Sequence, residues 1–281
     1  MLAATLSLAG IGLTAAIALG LAAKKFAVEV DPRELAILEA LPGANCGACG
    51  YPGCAGYSSA LVANQTDLNQ CPPGGAETVA VLGRTLGIEV KASKPQVAVV
   101  LCQGDNRLAV SKYHYLGLAD CVAAQRIAGG PKLCPGGCVG LGSCQRACPF
   151  DAIEMTAEGL AVISREKCTG CRKCVAACPR QVIRMTPLEA TVHVLCNSHD
   201  KGAVSRKYCK VACLGCQICK KTAPSAYIIE DFLAEVIYED HEDALDAVEK
   251  CPTKCIRDFS RGYPEGSSFE TLKTVVKKHA A

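Results

Sequence analysis

Cysteine is the residue type in this chain whose number and spacing most clearly indicate metal or cluster binding. It supplies 21 of the 281 residues, and many of these cysteines are separated by two residues or followed by proline. Thiolates at such spacings bind zinc or iron–sulfur clusters. Disulfide-rich chains are usually much shorter, and their cysteines come in even numbers. The pattern therefore favours metal or cluster binding in a reducing compartment.

The first cysteine group is closed by Pro72 and Pro73. Its four members are Cys46, Cys49, Cys54 and Cys71. Glycines are interleaved with the first three, and glycine allows the backbone to fold tightly around a cofactor. Four thiolates suit either zinc or a [4Fe–4S] cube. Three close cysteines, one distant cysteine and many glycines favour the cube.

A second pattern, Cys-x2-Cys-x2-Cys-x3-Cys-Pro, begins at Cys168 and is typical of bacterial ferredoxins. Its first three cysteines bind one cluster, and its fourth binds the neighbouring cluster. We therefore expect one cluster on Cys148, Cys168, Cys171 and Cys174. The neighbouring cluster needs three upstream cysteines, but Leu141 occupies the expected middle position. Cys134 is predicted to fill in, which gives the quartet Cys134, Cys138, Cys144 and Cys178.

The tail of this motif occurs four times, which indicates two ferredoxin-like units in tandem. The third copy has Ala223 in place of its fourth cysteine, and counting back from Cys251 reaches His241, Ala244 and Ala247. Because the two halves of a ferredoxin exchange ligands, these losses remove a single cluster. His241 is then no longer near iron. The second unit is predicted to keep one cluster, on Cys213, Cys216, Cys219 and Cys251.

Four [4Fe–4S] clusters are therefore expected, and five cysteines are left over. Cys255 aligns with residues other than cysteine in the three other copies, so it is predicted to be a packed small hydrophobe. The remaining four are Cys102, Cys121, Cys196 and Cys209. They are either buried thiols or ligands of a fifth cluster at the seam between repeats. Cys102 matches Cys196, and Cys134 matches Cys209, which keeps the second possibility open.

The segments between the motifs predict short helices and strands. Asp31 is a helix N-cap residue, and Glu77–Leu86 predicts a helix that ends at Gly87. The apolar runs Gln96–Leu101 and Thr191–Leu195 predict strands, each followed by a cysteine. Their similarity indicates that each strand begins one copy of a repeat. Further strands are predicted over Gly159–Ser164 and Leu233–Tyr238, and a final helix over Ser268–Lys278.

The first 23 residues contain no charged side chain. As a helix they would extend about 34 Å, enough to cross a hydrocarbon core of about 30 Å. Lys24 and Lys25 follow, so the positive-inside rule places the rest of the chain on the cytoplasmic side of the cell membrane. A signal peptide normally carries its charge before the apolar run, and a buried core helix normally has a polar face. The segment is predicted to be a single-pass anchor.

The predicted fold class is α+β. It comprises one N-terminal transmembrane helix, a small helical 4Fe–4S domain and tandem bacterial-ferredoxin-like units. The expected boundaries are 1–25 for the anchor, 26–90 for the first cluster domain, 95–190 for the first ferredoxin-like unit with two clusters, 191–260 for the second, degenerate unit with one cluster, and 261–281 for a C-terminal tail.

Several classes of function are excluded or left without support by the composition. The net charge of +3 provides no large positive field for nucleic acid. No Gly-x-Gly-x-x-Gly follows a strand, no Walker lysine is present, and no flavin site is visible. His193 lies in an apolar run and is predicted to be structural. One-electron transfer by clusters is the chemistry that remains.

The chain resembles the B subunit of the Rnf electron transport complex. The resemblance is carried by the predicted anchor, the segment from Asn45 to Cys54, the segment from Cys71 to Gly75 and the ferredoxin-like motifs that follow. The resemblance covers nearly the whole chain. It implies a membrane complex that passes electrons from reduced ferredoxin to NAD⁺ and exports Na⁺ or H⁺. The implied partners are soluble ferredoxin, the membrane and the A, C, D, E and G subunits of the Rnf complex, with the nicotinamide and flavin chemistry on the C subunit. This chain would be the relay, without a complete active site of its own.

Two other interpretations stay open from the sequence. One is an iron–sulfur subunit of a different membrane-anchored reductase. The other is a zinc-stabilised interaction module tethered to the membrane, which would contain about one zinc for each quartet. The losses at Ala223, His241, Ala244 and Ala247 depart from the family pattern and shorten the expected relay.

Overall fold

A computed structural model describes residues 2–26, 31–89, 94–240 and 242–260, without the side chains at 2–8, 240 and 242. The final helix predicted over 268–278 and the tail from residue 261 lie outside these residues. So does His241, whose predicted distance from iron therefore stays a prediction.

A long apolar helix, α1 (Leu2–Lys25), begins the chain. From residue 9 onward its leucine and isoleucine side chains are more than half exposed. Within the described residues, no helix combines the length and the apolarity that a membrane crossing needs. The transmembrane anchor predicted over 1–25 is thus not shown, and its first eight side chains lie outside the description.

Three helices form the next region: α2 (Pro32–Ala40), α3 (Gly53–Val62) and α4 (Gly75–Leu86). The predicted cap is confirmed, because the Asp31 carboxylate accepts the backbone N–H of Arg33 at 2.8 Å. Gly87 ends α4 in the left-handed conformation at φ +69°, which glycine adopts without strain. Ile37, Leu61 and Leu82 are buried between the three helices. Single 3₁₀ turns lie at Leu68–Gln70 and Pro72–Gly74.

The remainder of the described chain alternates short strands with helices of one or two turns. In chain order the strands are β1 (Gln96–Val100), β2 (Ile153–Met155), β3 (Ala161–Ile163), β4 (Ile183–Pro187), β5 (Val192–Val194), β6 (Tyr227–Glu230), β7 (Leu233–Val236) and β8 (Ile256–Asp258). The helices are α5 (Cys121–Arg126), α6 (Ser143–Arg146), α7 (Lys173–Ala177), α8 (Gly202–Tyr208), α9 (Ile218–Thr222) and α10 (Asp246–Lys250), with 3₁₀ turns at Tyr238–Asp240 and Glu242–Leu245.

The strands pair in the same way twice, which confirms the predicted repeat. In the first copy, β1 pairs antiparallel with β4 and β2 with β3. In the second, β5 pairs antiparallel with β8 and β6 with β7. Each copy therefore consists of an outer strand pair that closes over an inner hairpin. The mixture of helices and strands agrees with the predicted α+β class.

Each copy has its own apolar core between its strands and its cysteine loops. In the first, Val97, Leu160 and Ile183 are buried together with several cysteines. In the second, Val194, Leu233 and Ile256 are buried in the same manner. The strands are only three to five residues long, so the cysteine loops supply much of each core. His193 is buried in β5 beside Tyr238, with 3.0 Å between its Nδ1 and the Tyr238 hydroxyl oxygen. Its burial and this contact agree with the predicted structural role.

Candidate iron–sulfur cluster sites

All 21 cysteines are free thiols, and none is in a disulfide. Among the described residues, no three His, Cys, Asp or Glu side chains converge closely enough to share one metal ion. A [4Fe–4S] cube binds each thiolate through a different iron, so its four cysteines lie further apart than the ligands of a single ion. A site for such a cube is therefore recognised by four cysteines that lie around one volume, without sharing a single metal ion.

The first predicted quartet is brought together by the loop before α3. Burial raises the pKa of Cys71, and the charges of the three other members raise it further, namely Cys46, Cys49 and Cys54. The Asn45 side-chain oxygen accepts the N–H of Cys54 at 2.9 Å, which fixes the start of α3. Gly47 and Gly50 have φ values of +70° and +84°, so the tight loop needs glycine there.

The second predicted quartet is also brought together. Burial raises the pKa of Cys174 to about 12, and the neighbouring charges are those of Cys168, Cys171 and Cys148. Backbone N–H groups point at the sulfurs. Ala98 donates to Cys168 Sγ and Ala152 donates to Cys148 Sγ, both at 3.4 Å. Such donors stabilise sulfur that carries negative charge, as it does when it binds iron.

The third quartet differs from the sequence prediction at one member. A cavity under β4 is lined by Cys121, Cys138, Cys144 and Cys178, and Cys134 is not in its wall. Burial raises the pKa of Cys144 to about 12, and Cys138 and Cys121 are the nearest charges that add to it. The structure thus brings Cys121 to the place where Cys134 was predicted.

Hydrogen bonds at the start of α5 explain the position of Cys121. Asp120 caps α5 by accepting the N–H of Ala123 at 2.8 Å. Ser143 donates its hydroxyl to the Asp120 carboxylate at 2.8 Å and accepts the N–H of Cys121 at 2.7 Å. Since Ser143 precedes Cys144, this link holds the two cysteines side by side. Asp120 as an N-cap residue was the available signal in the sequence, but it does not reveal the contact with residue 143.

The fourth predicted quartet lines a cavity between α9 and β8, where Cys213, Cys216, Cys219 and Cys251 all lie in the wall. Cys255 lies there as well, with its sulfur 3.6 Å from that of Cys251. A hydrogen bond with Cys255 lowers the pKa of Cys251 to about 5 and that of Cys213 to about 6. Cys255 is buried as predicted, and it also interacts with two of the predicted ligands.

Three of the four positions of the predicted lost cluster are occupied by apolar side chains. Ala223, Ala244 and Ala247 are all buried in the core of the second copy. The Tyr227 ring lies among the same residues, and its hydroxyl donates to the Ala244 carbonyl at 2.7 Å. An aromatic side chain thus packs in the half of the repeat that lacks cysteine ligands.

Family models match three parts of the chain. Residues 41–73 match a putative Fe-S cluster family, 134–185 a 4Fe-4S dicluster domain, and 210–258 a 4Fe-4S single cluster domain of ferredoxin I. Two of these descriptions name 4Fe-4S clusters and the first names an Fe-S cluster, so all three favour iron–sulfur clusters over the zinc alternative.

Curated relatives cover most of the chain. The B subunit of an ion-translocating oxidoreductase complex from Methanosarcina acetivorans is 41% identical over 250 residues, which are 89% of this chain and 95% of that protein. The B subunit of the Na(+)-translocating ferredoxin:NAD(+) oxidoreductase complex from Acetobacterium woodii is 40% identical over 87% of this chain and 74% of its own length. The proton-translocating counterpart from Clostridium ljungdahlii is 40% identical over 90% of both chains.

Proposed function

Because the chain belongs to the family of B subunits of ion-translocating oxidoreductase complexes, we propose that it relays electrons through iron–sulfur clusters held by its cysteines. A [4Fe–4S] cluster takes up and gives out one electron at a time. The observation that carries the proposal is the grouping of thiols into separate quartets, whose members either act on one another's pKa or line one cavity.

The ligands that we propose differ from the sequence prediction only in the third quartet. Two quartets lie in the first ferredoxin-like unit: Cys148, Cys168, Cys171 and Cys174, and Cys121, Cys138, Cys144 and Cys178. A further quartet, Cys46, Cys49, Cys54 and Cys71, precedes them, and the quartet Cys213, Cys216, Cys219 and Cys251 belongs to the second unit. Most of these thiols are buried or half-buried, which fits iron–sulfur ligation, because iron binds thiolates and so offsets the cost of burying them.

Neighbouring thiols connect three of these quartets in a row. The thiolate charge of Cys174 raises the pKa of Cys144 in the adjacent quartet. The thiolate charge of Cys46 likewise raises the pKa of Cys171. The region of α2, α3 and α4 therefore lies close to the first ferredoxin-like unit. This adjacency supports a relay that runs through the first unit and ends at the quartet nearest α1.

We further propose that the chain works in a membrane complex with the other subunits of its family. Two relatives are named as ferredoxin:NAD(+) oxidoreductases, one translocating Na⁺ and one protons. By that relationship reduced ferredoxin is the donor, and NAD⁺ is the final acceptor on another subunit. The exposed apolar surface of α1 supports membrane association, because a helix that is apolar on all sides needs an apolar environment.

The test is the replacement Cys171→Ala in the assembled complex. The substitution removes one thiolate of the second quartet and is expected to abolish one cluster signal in electron paramagnetic resonance. Ferredoxin-driven NAD⁺ reduction is expected to fall at least tenfold, because the relay is then interrupted. Glu166→Gln, an exposed change in the same loop, serves as the control and leaves both unchanged. Full activity in Cys171→Ala would disprove the relay role.

A further inference from the structure

Apart from Cys255, four buried cysteines remain outside the quartets above: Cys102, Cys134, Cys196 and Cys209. We propose that these four cysteines, which we term the seam site, bind a further iron–sulfur cluster between the two repeats. The inference rests on the proposed function only in treating the chain as a cluster protein. No family model that matches the chain spans all four positions.

The four thiols face one another across the repeats. A Cβ atom at Gly104 would lie 3.2 Å from Cys209 Sγ and 3.6 Å from Cys102 Sγ, so both sulfurs border the same backbone position. Burial raises the pKa of Cys209 to about 11, with Cys102 and Cys134 as the nearest thiolates that add to it. The thiolate charge of Cys102 likewise raises the pKa of Cys134 and that of Cys196. Cys102 thus has the three other members around it.

Backbone hydrogen bonds hold the two sides of the seam in register. The N–H of Val110 donates to the Tyr208 carbonyl at 2.8 Å, and the N–H of Lys210 donates to the Leu108 carbonyl at 3.0 Å. Ala109 and Cys209 form an antiparallel bridge between these two bonds. The loop after Cys102 therefore fixes the position of Cys209 through its backbone, without any cofactor being needed to draw them together.

Each sulfur accepts an N–H from the residue two positions further along the chain. For Cys102 this donor is Gly104, at 3.3 Å, and Cys138 provides a second donor at 3.4 Å. Cys196 has the equivalent pair, namely Ser198 and Cys213. The corresponding donors are Gly136 for Cys134 and Val211 for Cys209. The repeat thus reproduces the surroundings of the sulfurs as well as their positions, and N–H donors at sulfur are a feature of cluster ligation.

Two buried cations flank the seam site. Lys132 is 1% exposed and donates its Nζ to the Gly104 carbonyl at 2.8 Å. Arg180 is 7% exposed and donates to the Gly137 carbonyl at 2.9 Å and to the Cys134 carbonyl. Neither forms an ion pair with a carboxylate in the described part of the chain. A buried cation is costly without negative charge nearby, and four thiolates around a cluster supply that charge.

The location also completes the row of neighbouring quartets. Cys196 lies within the electrostatic range of Cys213 in the second unit. Cys102 lies within that of Cys138 in the first unit. A cluster at the seam site takes one electron from a reduced cluster of one unit and gives it to an oxidised cluster of the other. Electrons then have a continuous path from the second unit to the quartet nearest α1.

The experiment is metal analysis of the full chain after anaerobic reconstitution with Fe²⁺ and sulfide. Wild type is expected to contain about 20 irons and 20 acid-labile sulfides, since each cube holds four of each. The double variant Cys102→Ala/Cys209→Ala is expected to contain about 16 irons and one fewer reduced-cluster spin. Thr186→Val, a buried substitution in β4 that removes no cysteine, is the control, and it keeps the wild-type iron content.

The wild-type measurement decides the proposal even if the double variant fails to fold. About 16 irons in fully reconstituted wild type would overturn the seam site and leave the proposed function intact. One zinc at the seam in place of iron, or equal iron content in wild type and a folded double variant, would also overturn it. A wild-type chain without iron or sulfide would overturn the proposed function together with it.

Discussion

At the scale of single residues, burial and hydrogen bonding act on the cysteines in opposite directions. Burial raises the pKa of Cys219 to about 11, whereas the N–H of Lys220 lowers it. The thiolate is the form that binds iron. The protein therefore hides its sulfurs from water and uses backbone N–H groups to favour the charged form.

Cys255 is the one cysteine that belongs to none of the five groups. Its thiol hydrogen bonds with Cys213 and Cys251. Replacing it by alanine is expected to leave the iron content unchanged and to lower the midpoint potential of that cluster, because hydrogen bonds to ligand sulfur favour the reduced form. A redox titration followed by electron paramagnetic resonance measures the change.

The control for this prediction is Cys255→Ser, whose hydroxyl keeps a donor and is expected to retain most of the wild-type potential. Loss of four irons in Cys255→Ala would show instead that Cys255 is itself a ligand. An unchanged potential would show that its thiol has no influence on the cluster.

His193 predicts a pH dependence of stability. Burial, and then the charge of Arg165, lowers its pKa to about 4 from 6.5. The unfolded chain therefore binds a proton at a pH where the folded chain does not. This contribution to stability is complete above pH 6.5 and is lost as the pH falls from 6.5 towards 4. One pH unit below 6.5 the loss is about 1 kcal/mol.

Urea unfolding of the anaerobic protein at pH 7.5 and 5.5 measures this effect. The variant His193→Phe keeps an aromatic ring without the titrating group. Its free energy of unfolding is expected to fall less between the two pH values than that of wild type, by about 1 kcal/mol. Equal pH dependence in the two proteins would mean that His193 is protonated in the folded state.

At the residue scale, a group of thiols is predictable where spacing alone sets the geometry. The run from Cys168 to Cys178 positions three thiols on one tight loop, so local sequence is sufficient. The position of Cys121 beside Cys138 and Cys144 was not predicted, because it depends on a hydrogen bond between Asp120 and Ser143, which are far apart in the sequence. A count of residues between cysteines carries no trace of that contact.

At the scale of elements, the second repeat has an apolar core where the sequence predicts a lost cluster. The Tyr227 ring is 1% exposed and is buried together with the alanines at the predicted positions of the missing ligands. Tyr227→Ala is expected to lower the free energy of unfolding by about 3–5 kcal/mol, because it leaves a cavity as large as an aromatic ring. Iron content should not change. Chemical unfolding and iron analysis of the same sample measure both.

Tyr227→Phe is the control for that prediction. It retains the ring and loses only the hydrogen bond to Ala244, so the expected cost is about 1 kcal/mol. A loss of iron in Tyr227→Ala with no change in unfolding would place the ring at a cluster instead of in a packed core.

The elements themselves were largely predictable. The cap at Asp31, the stop at Gly87 and the strand that begins at Gln96 follow from local rules, and the structure confirms them. The partners of the strands were not predictable. The pairing of β1 with β4 spans more than eighty residues, and it forms because both strands bury apolar side chains over the same cysteine loops.

At the scale of the whole molecule, α1 contains none of the proposed cluster ligands. Removal of residues 1–25 is expected to shift the protein from the membrane fraction to the soluble fraction. Its iron content should stay the same, because no proposed ligand lies before Cys46. Fractionation after expression with the partner subunits, compared with the full chain, tests this. Loss of iron on deletion would mean that α1 supports the fold of the cluster regions.

If quartets of thiols hold clusters that accept electrons from reduced ferredoxin, electrons pass between the two proteins without a further partner. The decisive experiment mixes the full chain, prepared without oxygen, with reduced ferredoxin and follows both partners by freeze-quench electron paramagnetic resonance. Signals of reduced [4Fe–4S] clusters are expected to grow as the ferredoxin signal decays, one electron for one. A colourless chain without acid-labile sulfide, or clusters that stay oxidised beside reduced ferredoxin, would contradict it.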